Sequence, residues 1–189
     1  MSINAYHFVT NWRVRATLSE VNAVLSDPNS LPRWWPAVYL AVEQLHAGDP
    51  QSGVGRVISL YTKGWLPYTL RWQFKVVGSR YPHGFALEAR GDFDGRGEWT
   101  FVQDGEHVNI VYDWRINADK PLLRALTPVL RPLFSANHLW AMRVGLQSLE
   151  LELRRCRAQT AEARAAIPEP PQPTFMRRQQ PAATPRARA

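Results

Sequence analysis

The chain has 189 residues, enough for one domain with a substantial core, and 45% of them are hydrophobic. Its single cysteine excludes an internal disulfide, and residues 1–15 contain no run that resembles a signal peptide or a membrane span, so we expect a cytoplasmic protein. The net charge is +7, and the 8 tryptophans are a high number that suits either a core or an apolar pocket.

The N-terminal part of the chain combines one strand pattern with two helix signals. Residues 6–15 alternate apolar and polar side chains, as a half-buried β-strand does. Thr17 and Glu20 match a capping box, which predicts a short helix. Asp27 and Pro28 then give an N-cap with proline at the first helical position. We therefore expect two short helices after the first strand.

Six further segments alternate in the same way and predict strands two to seven. They are residues 38–46, 56–62, 68–76 and 85–91, a segment around Trp99 and Phe101, and residues 108–116. Asp104 and Gly105 favour a hairpin turn before the last strand. Residues 63–67, between the third and fourth strands, carry an apolar tip at Trp65 and Leu66, although hairpin tips are usually polar. The pattern indicates an antiparallel sheet with one apolar face.

After residue 117 the apolar period changes from that of a strand to that of a helix. Pro121 can open a helix, and Pro128 and Pro132 kink or restart it before a long terminal helix. That helix carries one apolar stripe, formed by Leu139, Met142, Leu146, Leu149, Leu153 and Cys156. The stripe must be buried against the apolar face of the sheet. We therefore predict an α+β helix-grip fold: a seven-stranded curved antiparallel sheet around a long C-terminal helix, with the two short helices between strands one and two and a ligand cavity inside.

The last 23 residues differ in composition from the rest. Residues 167–189 hold six of the 15 prolines and four arginines, with almost no large apolar side chain. We expect a helix-grip domain over residues 1–166 and a disordered Pro/Ala/Arg-rich tail over residues 167–189, dispensable for folding. The spread-out arginines could contact an anionic surface weakly, but without interleaved aromatic residues they predict no specific nucleic acid partner.

Several segments together resemble a known superfamily. They are residues 25–28 leading to Trp34-Trp35-Pro36, residues 63–68, 91–99 and 112–115, and Asn137-His138 with Met142 and Gly145. Over about residues 3–157 the chain resembles the START-like (SRPBCC) superfamily, within it the polyketide cyclase, dehydrase and lipid-transport group. The resemblance implies a deep cavity between sheet and helix, which the superfamily uses for sterols, lipids, quinones, plant hormones and polyketide intermediates. The cavity side chains, not the fold, decide the function of such a scaffold.

The inward positions supply few groups for catalysis. No two carboxylates share an apolar face, the 5 histidines are dispersed, and the glycine segments lack the third glycine of a phosphate loop, so we expect neither a metal nor a cofactor. His138 shares a helical face with Met142 and Gly145, and its imidazole could bind a ligand oxygen, act as acid or base, or bond the backbone near the helix start. Tyr112 is the second candidate, or else a core tyrosine whose hydroxyl reaches the rim.

We expect this chain to bind or transport a hydrophobic lipid-, quinone- or polyketide-like molecule, as a binding protein rather than an enzyme. The expected ligand-binding residues are Trp34 and Trp35 near the entrance, Trp72, Phe74, Trp99, Phe101, Tyr112 and Trp114 as walls, and His138 with Met142 on the helix. One alternative is an aromatase/cyclase or dehydratase type of enzyme, in which His138 or Tyr112 moves a proton in the same cavity. Another is a membrane or nucleic acid interaction through the basic tail and the apolar tip.

Overall fold

The computed structural model describes residues 5–117 and 121–175, with the side chains of residues 121–131 outside the description. The elements in chain order are β1 (Ala5–Arg15), α1 (Leu18–Leu25), a 3-10 turn (Pro28–Ser30), α2 (Leu31–Trp34), β2 (Tyr39–His46), β3 (Val57–Lys63), β4 (Thr69–Ser79), β5 (Gly84–Gly91), β6 (Asp94–Asp104), β7 (His107–Asn117), α3 (Pro121–Arg157) and α4 (Ala161–Ala165). The short helix α4 is absent from the sequence prediction.

The seven strands form one antiparallel sheet in the order β1-β7-β6-β5-β4-β3-β2. Strands β2 to β7 pair with their neighbours in sequence, and β7 closes onto β1 with Ala5 opposite Asn117 and Arg15 opposite His107. The chain leaves the sheet after β1, where the short helices lie, and after β7, where α3 packs against the inner face. These features confirm the predicted helix-grip fold.

The capping box at the start of α1 is present as predicted. The Thr17 side chain accepts a hydrogen bond from the backbone N–H of Glu20 at 3.3 Å, and the Glu20 carboxylate accepts one from the Thr17 backbone N–H at 2.8 Å. The same carboxylate receives Arg157 Nε at 2.7 Å from the end of α3. The hydrogen bond from Arg157 is the largest cause that lowers the pKa of Glu20 to about 2. The start of α1 is thereby tied to the end of α3.

The buried face of α3 differs from the predicted stripe. Leu139 is 61% exposed and Cys156 is also exposed, so the prediction that both are buried is wrong. Met142, Leu149 and Leu153 of the stripe are buried as predicted, and Leu146 packs against the core. Gly145 and Glu152 are buried beside the stripe, against Trp35 and Arg33, at positions that a search for apolar side chains does not find. Within the described ranges, no helix is long and apolar enough to cross a membrane.

Gly145 lets α3 approach the core closely. A Cβ atom at this position would lie 2.2 Å from Cζ2 of Trp35. Trp35 is 3% exposed and packs with Trp12 at a ring distance of 5.8 Å and with Tyr39 at 5.2 Å. Trp34 is fully buried beside it. Both tryptophans thus belong to the core, whereas we expected them near an entrance. The reason is that Trp34 ends α2 and Trp35 follows it, where Gly145 of α3 packs on the indole.

An ion pair with a buried carboxylate also fixes α3 to α2. Glu152 is 2% exposed, and its two oxygens accept hydrogen bonds from the Arg33 guanidinium at 2.7 Å and 2.8 Å. This two-point contact is the geometry that suits guanidinium and carboxylate. A carboxylate buried without its partner would be strongly destabilising, so the pair determines where α2 docks on α3.

The apolar tip between β3 and β4 is not a free surface. Leu66 is 8% exposed, and its backbone N–H donates to Oδ1 of Asn137 on α3 at 3.3 Å. The carbonyl of Trp65 accepts a hydrogen bond from Thr174 Oγ1 at 3.1 Å. The expected exposed tip is therefore wrong for Leu66, because α3 and a distant part of the chain cover the loop.

Residues 167–175, which we call the C-terminal segment, lie against the domain. Ile167 and Pro170 are buried, and the Arg155 guanidinium donates to the carbonyl of Pro168. Farther along, the Lys63 ammonium donates to the carbonyl of Thr174. The domain boundary at residue 166 stays a prediction, and the four tail arginines lie outside the described residues.

The contacts of the C-terminal segment predict that it stabilises the fold. Deletion of residues 167–189 should lower the melting temperature by roughly 5 °C, because buried apolar area and several hydrogen bonds are lost. Deletion of residues 176–189 is the matched control and should leave the melting temperature nearly unchanged. Scanning calorimetry of the three proteins measures both effects. Equal melting temperatures for the two deletions would show that the segment is dispensable.

A methyl group at position 145 should destabilise the protein. Alanine improves helix propensity by up to about 1 kcal/mol, but overpacking a core costs about 1 to 3 kcal/mol, and the new Cβ would overlap three ring atoms of Trp35. We expect Gly145→Ala to lower the free energy of unfolding by roughly 1 to 2 kcal/mol in urea titrations. Gly78→Ala is the control, since its Cβ would lie 3.8 Å from the nearest atom. A stabilised Gly145→Ala variant would contradict close packing here.

Candidate ligand-binding site

Two cavities lie on the inner face of the sheet, one beside the short helices and the loop between β2 and β3, the other beside α3. The larger, about 390 Å³, is here named the large lobe, and the smaller, about 180 Å³, the small lobe. The walls of the large lobe are mostly aromatic and aliphatic: Trp72, Phe74, Val76, Phe85, Leu87 and Trp99. The apolar walls of the small lobe include Phe8, Leu70, Phe93, Trp114, Ile116, Phe134 and Met142. Such walls are typical of pockets for apolar ligands.

The two lobes occupy opposite ends of the sheet. The large lobe borders the end of β4 and the start of β5, at Val76 and Phe85. The small lobe borders the start of β4 and the end of β7, at Leu70 and Ile116. Four side chains line both lobes and therefore stand where the lobes meet: Trp35, Tyr39, Trp72 and Tyr112.

A run of stacked rings forms the central wall. Tyr112 stacks on Trp99 with ring centres 4.0 Å apart and on Trp114 with centres 5.5 Å apart. Gly97 of β6 makes this possible, because a Cβ there would lie about 3.0 Å from ring atoms of both Tyr112 and Trp114. The indole N–H of Trp72 donates to Thr62 Oγ1 at 3.0 Å, which fixes that ring. These contacts order the rings of the wall without a ligand.

His138 lines the small lobe from the middle of α3. Its ring stacks on Phe8 with centres 4.1 Å apart. Nε2 is buried and has no hydrogen-bond partner in the described part of the chain. Burial lowers the pKa of His138 to about 4, so the imidazole is neutral at pH 7. Because α3 begins at Pro121, His138 is not at a helix start, and the helix-start role considered for it does not apply.

Two tyrosines, Tyr39 and Tyr112, line both lobes. Burial raises the pKa of both, and the neighbouring Tyr39 hydroxyl raises the pKa of Tyr112 further. Both therefore stay protonated at neutral pH and can donate a hydrogen bond.

Charged groups are scarce at this site. The small lobe is lined by no carboxylate among the described residues, and the large lobe by one, Asp27, at its polar mouth beside Ser26 and Arg56. Across residues 5–117 and 121–175, no three His, Cys, Asp or Glu side chains are grouped closely enough to hold a metal ion. The arrangement is suited to apolar contact and neutral hydrogen bonds.

Most of the residues singled out in the sequence come together here. Trp35, Trp72 and Tyr112 line both lobes, Phe74 and Trp99 the large lobe, and Trp114, His138 and Met142 the small lobe. Trp34 and Phe101 are fully buried in the core and line neither. Their roles toward a ligand stay predictions.

Sequence reasoning missed other members of the walls. Phe8 follows the apolar alternation of β1, and that alternation is sufficient to suggest a cavity role. Tyr39 gives no signal, since it begins β2, where register irregularities interrupt the pairing with β3. Phe134 lies four residues before His138 and shares its helical face, and Asn137 also lines the small lobe.

The fold and the paired lobes define a helix-grip protein with an internal cavity. A family profile described as polyketide cyclase / dehydrase and lipid transport matches residues 6–154, and the chain belongs to this family. A search of curated proteins found no match.

Solved structures share the fold at low sequence identity. The Zhui aromatase/cyclase from Streptomyces sp. R1128 has a TM-score of 0.63 and 20% identity, over 82% of this chain and 97% of that chain. The protein TTHA0849 from Thermus thermophilus has a TM-score of 0.65 and 16% identity, over 81% of this chain and 100% of that chain. A START superfamily protein from Mycobacterium smegmatis has a TM-score of 0.60 and 14% identity, over 79% of this chain and 98% of that chain. These likenesses show the fold alone.

The lowered pKa of His138 predicts a pH dependence of stability. The unfolded chain binds a proton on this residue below about pH 6.5 and the folded chain only near pH 4, so acid favours unfolding. Between pH 7 and pH 5 the free energy of unfolding should fall by about 2 kcal/mol through this group. The lowered pKa of Glu20 acts only below its unfolded value of 4.5, outside this window.

Urea titrations at the two pH values test the effect. In His138→Gln, the free energy of unfolding should no longer show the part of its fall between pH 7 and pH 5 that is due to His138. In His83→Gln, a substitution at an exposed position, the full fall should remain. Equal slopes for wild type and His138→Gln would mean that His138 titrates normally in the folded protein.

Proposed function

We propose that this protein binds a hydrophobic, ring-containing small molecule in the two lobes, as a carrier or binding protein. The observation that carries the proposal is the combination of aromatic walls with the buried, unpaired Nε2 of His138. An unpaired buried nitrogen costs free energy, and a ligand group that hydrogen-bonds to it removes that cost. His138 is then the polar anchor of the small lobe.

The size and polarity of the lobes support an organic ligand rather than an ion. Ligand pockets usually measure about 300–1,000 Å³ and combine apolar walls with a few polar groups. The large lobe lies in this range. Stacked rings at Trp99, Tyr112 and Trp114 favour flat cyclic molecules, which can pack against them.

The protonation states favour binding over proton transfer. A general acid or base works best with a pKa near the operating pH. Burial moves the pKa of His138 down to about 4 and that of Tyr112 well above its ordinary value, so both are poorly matched to catalysis at pH 7. Neutral groups of this kind serve as hydrogen-bond partners.

A cyclase or dehydratase is the second candidate, favoured by one observation. Tyr112 and His138 line the same small lobe, so a reactive chain held there would meet one hydroxyl and one imidazole. Enclosure alone can direct cyclisation by holding the reacting atoms together. The fold shared with the Zhui aromatase/cyclase is compatible with this candidate.

Ligand capture and one substitution separate these functions. Native mass spectrometry of the protein purified from its source identifies any co-purified molecule. Quenching of tryptophan fluorescence by cyclic apolar compounds gives affinities, because Trp72, Trp99 and Trp114 line the lobes. In a carrier, His138→Ala should weaken binding about tenfold through the loss of one hydrogen bond.

An enzyme predicts a different result for the same variant. Turnover would fall by roughly a hundredfold while binding is largely kept. His83→Ala is the matched control and should change neither quantity, since His83 is exposed and lines neither lobe. The absence of quenching by any compound, with a sharp fall in the melting temperature of His138→Ala, would contradict the anchor role and assign His138 a structural one.

A further inference from the structure

The junction of the two lobes is a polar site within apolar walls. We call it the waist and define it by Trp35, Tyr39, Trp72 and Tyr112, which line both lobes. On either side of the waist the walls are apolar, since Leu87 lies on one side and Ile116 on the other. A molecule that fills both lobes must pass through the waist with its middle part.

The waist has hydrogen-bonding groups that the protein does not use. Neither the hydroxyl of Tyr112 nor that of Tyr39 has a hydrogen-bond partner among the described residues, and both hydroxyl oxygens remain accessible rather than fully buried. Nε1 of Trp35 is buried and unpaired in the part of the chain described. By contrast, the indole N–H of Trp72 is satisfied by Thr62. Accessible hydroxyls without a protein partner are free to form a hydrogen bond with a bound molecule.

The two hydroxyls are held in place before binding. Tyr112 is stacked between Trp99 and Trp114, and Tyr39 packs edge-on against Trp35 at a ring distance of 5.2 Å. Burial keeps both phenols protonated, so each can donate a hydrogen bond at neutral pH. Donors that are already ordered lose little conformational entropy when a ligand binds.

The volumes of the two lobes indicate how much of each a ligand would fill. The small lobe alone, about 180 Å³, falls below the usual range of roughly 300–1,000 Å³ for a ligand pocket, whereas the two lobes together fall within it. A ligand of ordinary size that reaches His138 would therefore need space beyond the small lobe, and the large lobe is the adjoining volume across the four shared side chains.

We propose that Tyr39 and Tyr112 form a subsite that binds a carbonyl or quinone oxygen located in the middle of the ligand, with apolar rings on either side of it in the two lobes. This inference rests on the proposed binding function and narrows the ligand class. It selects ring systems that carry an oxygen acceptor at their centre over pure hydrocarbons of the same shape. Tyr39 becomes a specificity-determining residue of the site.

A matched pair of probes tests the subsite. 9,10-Anthraquinone has its carbonyl groups between two benzene rings, and anthracene has the same rings without oxygen. The variants are Tyr39→Phe and Tyr112→Phe, which keep the rings and remove only the hydroxyls. Tyr61→Phe is the control, because Tyr61 lines neither lobe and packs under Arg71 instead. Affinities come from tryptophan quenching, and circular dichroism checks the fold of each variant.

The waist variants should change the affinities for the two probes differently. Wild type should bind anthraquinone more tightly than anthracene. Each waist variant should weaken anthraquinone binding by about threefold to tenfold and leave anthracene binding unchanged or slightly stronger. Tyr61→Phe should change neither affinity.

Two other outcomes overturn the inference and are distinguishable. If wild type binds both probes and the waist variants bind them with unchanged affinities, the subsite is wrong, whereas binding in the lobes stands. If wild type binds neither probe, the subsite and the proposed binding of flat cyclic molecules are both wrong.

Discussion

The contact between Trp35 and Gly145 sets the distance between α3 and the sheet, and the cavities depend on that distance. A glycine here brings the helix backbone against an indole that is 3% exposed. The same indole forms part of the waist, so the closest approach of helix and core is also the point where the two lobes meet. On the N-terminal side of this contact, residues 134–142 of α3 line the small lobe, whereas the large lobe lies beyond Trp35 and is lined by no described residue of α3.

Ion pairs hold α3 in this position without filling the lobes. Arg33 forms an ion pair with the buried Glu152, and Arg157 forms one with Glu20 at the start of α1. Both pairs lie toward the C-terminal end of the helix, so that half is fixed to the short helices. The half that carries His138 contacts the rest of the protein differently, through rings such as Phe8 and through Asn137, which accepts the backbone N–H of Leu66. The C-terminal half of α3 is thus held by ion pairs, whereas the half with His138 lines the small lobe.

Local patterns in the sequence were sufficient for the fold but not for the details of the site. Alternation along each strand is a property of neighbouring residues, so the seven strands and the capping box at Thr17 could be predicted. The burial of Glu152 on α3 could not, because it depends on an ion pair with Arg33 of α2 that hydrophobicity does not reveal. The burial of Leu66 depends on Asn137, 71 residues away. Tyr39, on the edge strand β2, belongs to the site because it packs against Trp35 and lines both lobes with Trp72 of β4 and Tyr112 of β7.

The polar groups of the waist and of the small lobe are neutral apart from Lys63, and this determines what the small lobe accepts. Burial keeps His138 unprotonated and both waist tyrosines protonated, so none offers a counter-charge to an ion. An ionised ligand would leave water without a partner there, at a cost far above that of a neutral carbonyl or hydroxyl. Lys63 borders the small lobe, but its ammonium group donates a hydrogen bond to the carbonyl of Thr174. The C-terminal segment thus satisfies the one cationic side chain beside the small lobe in the described structure, and recognition is left to ring packing and neutral hydrogen bonds.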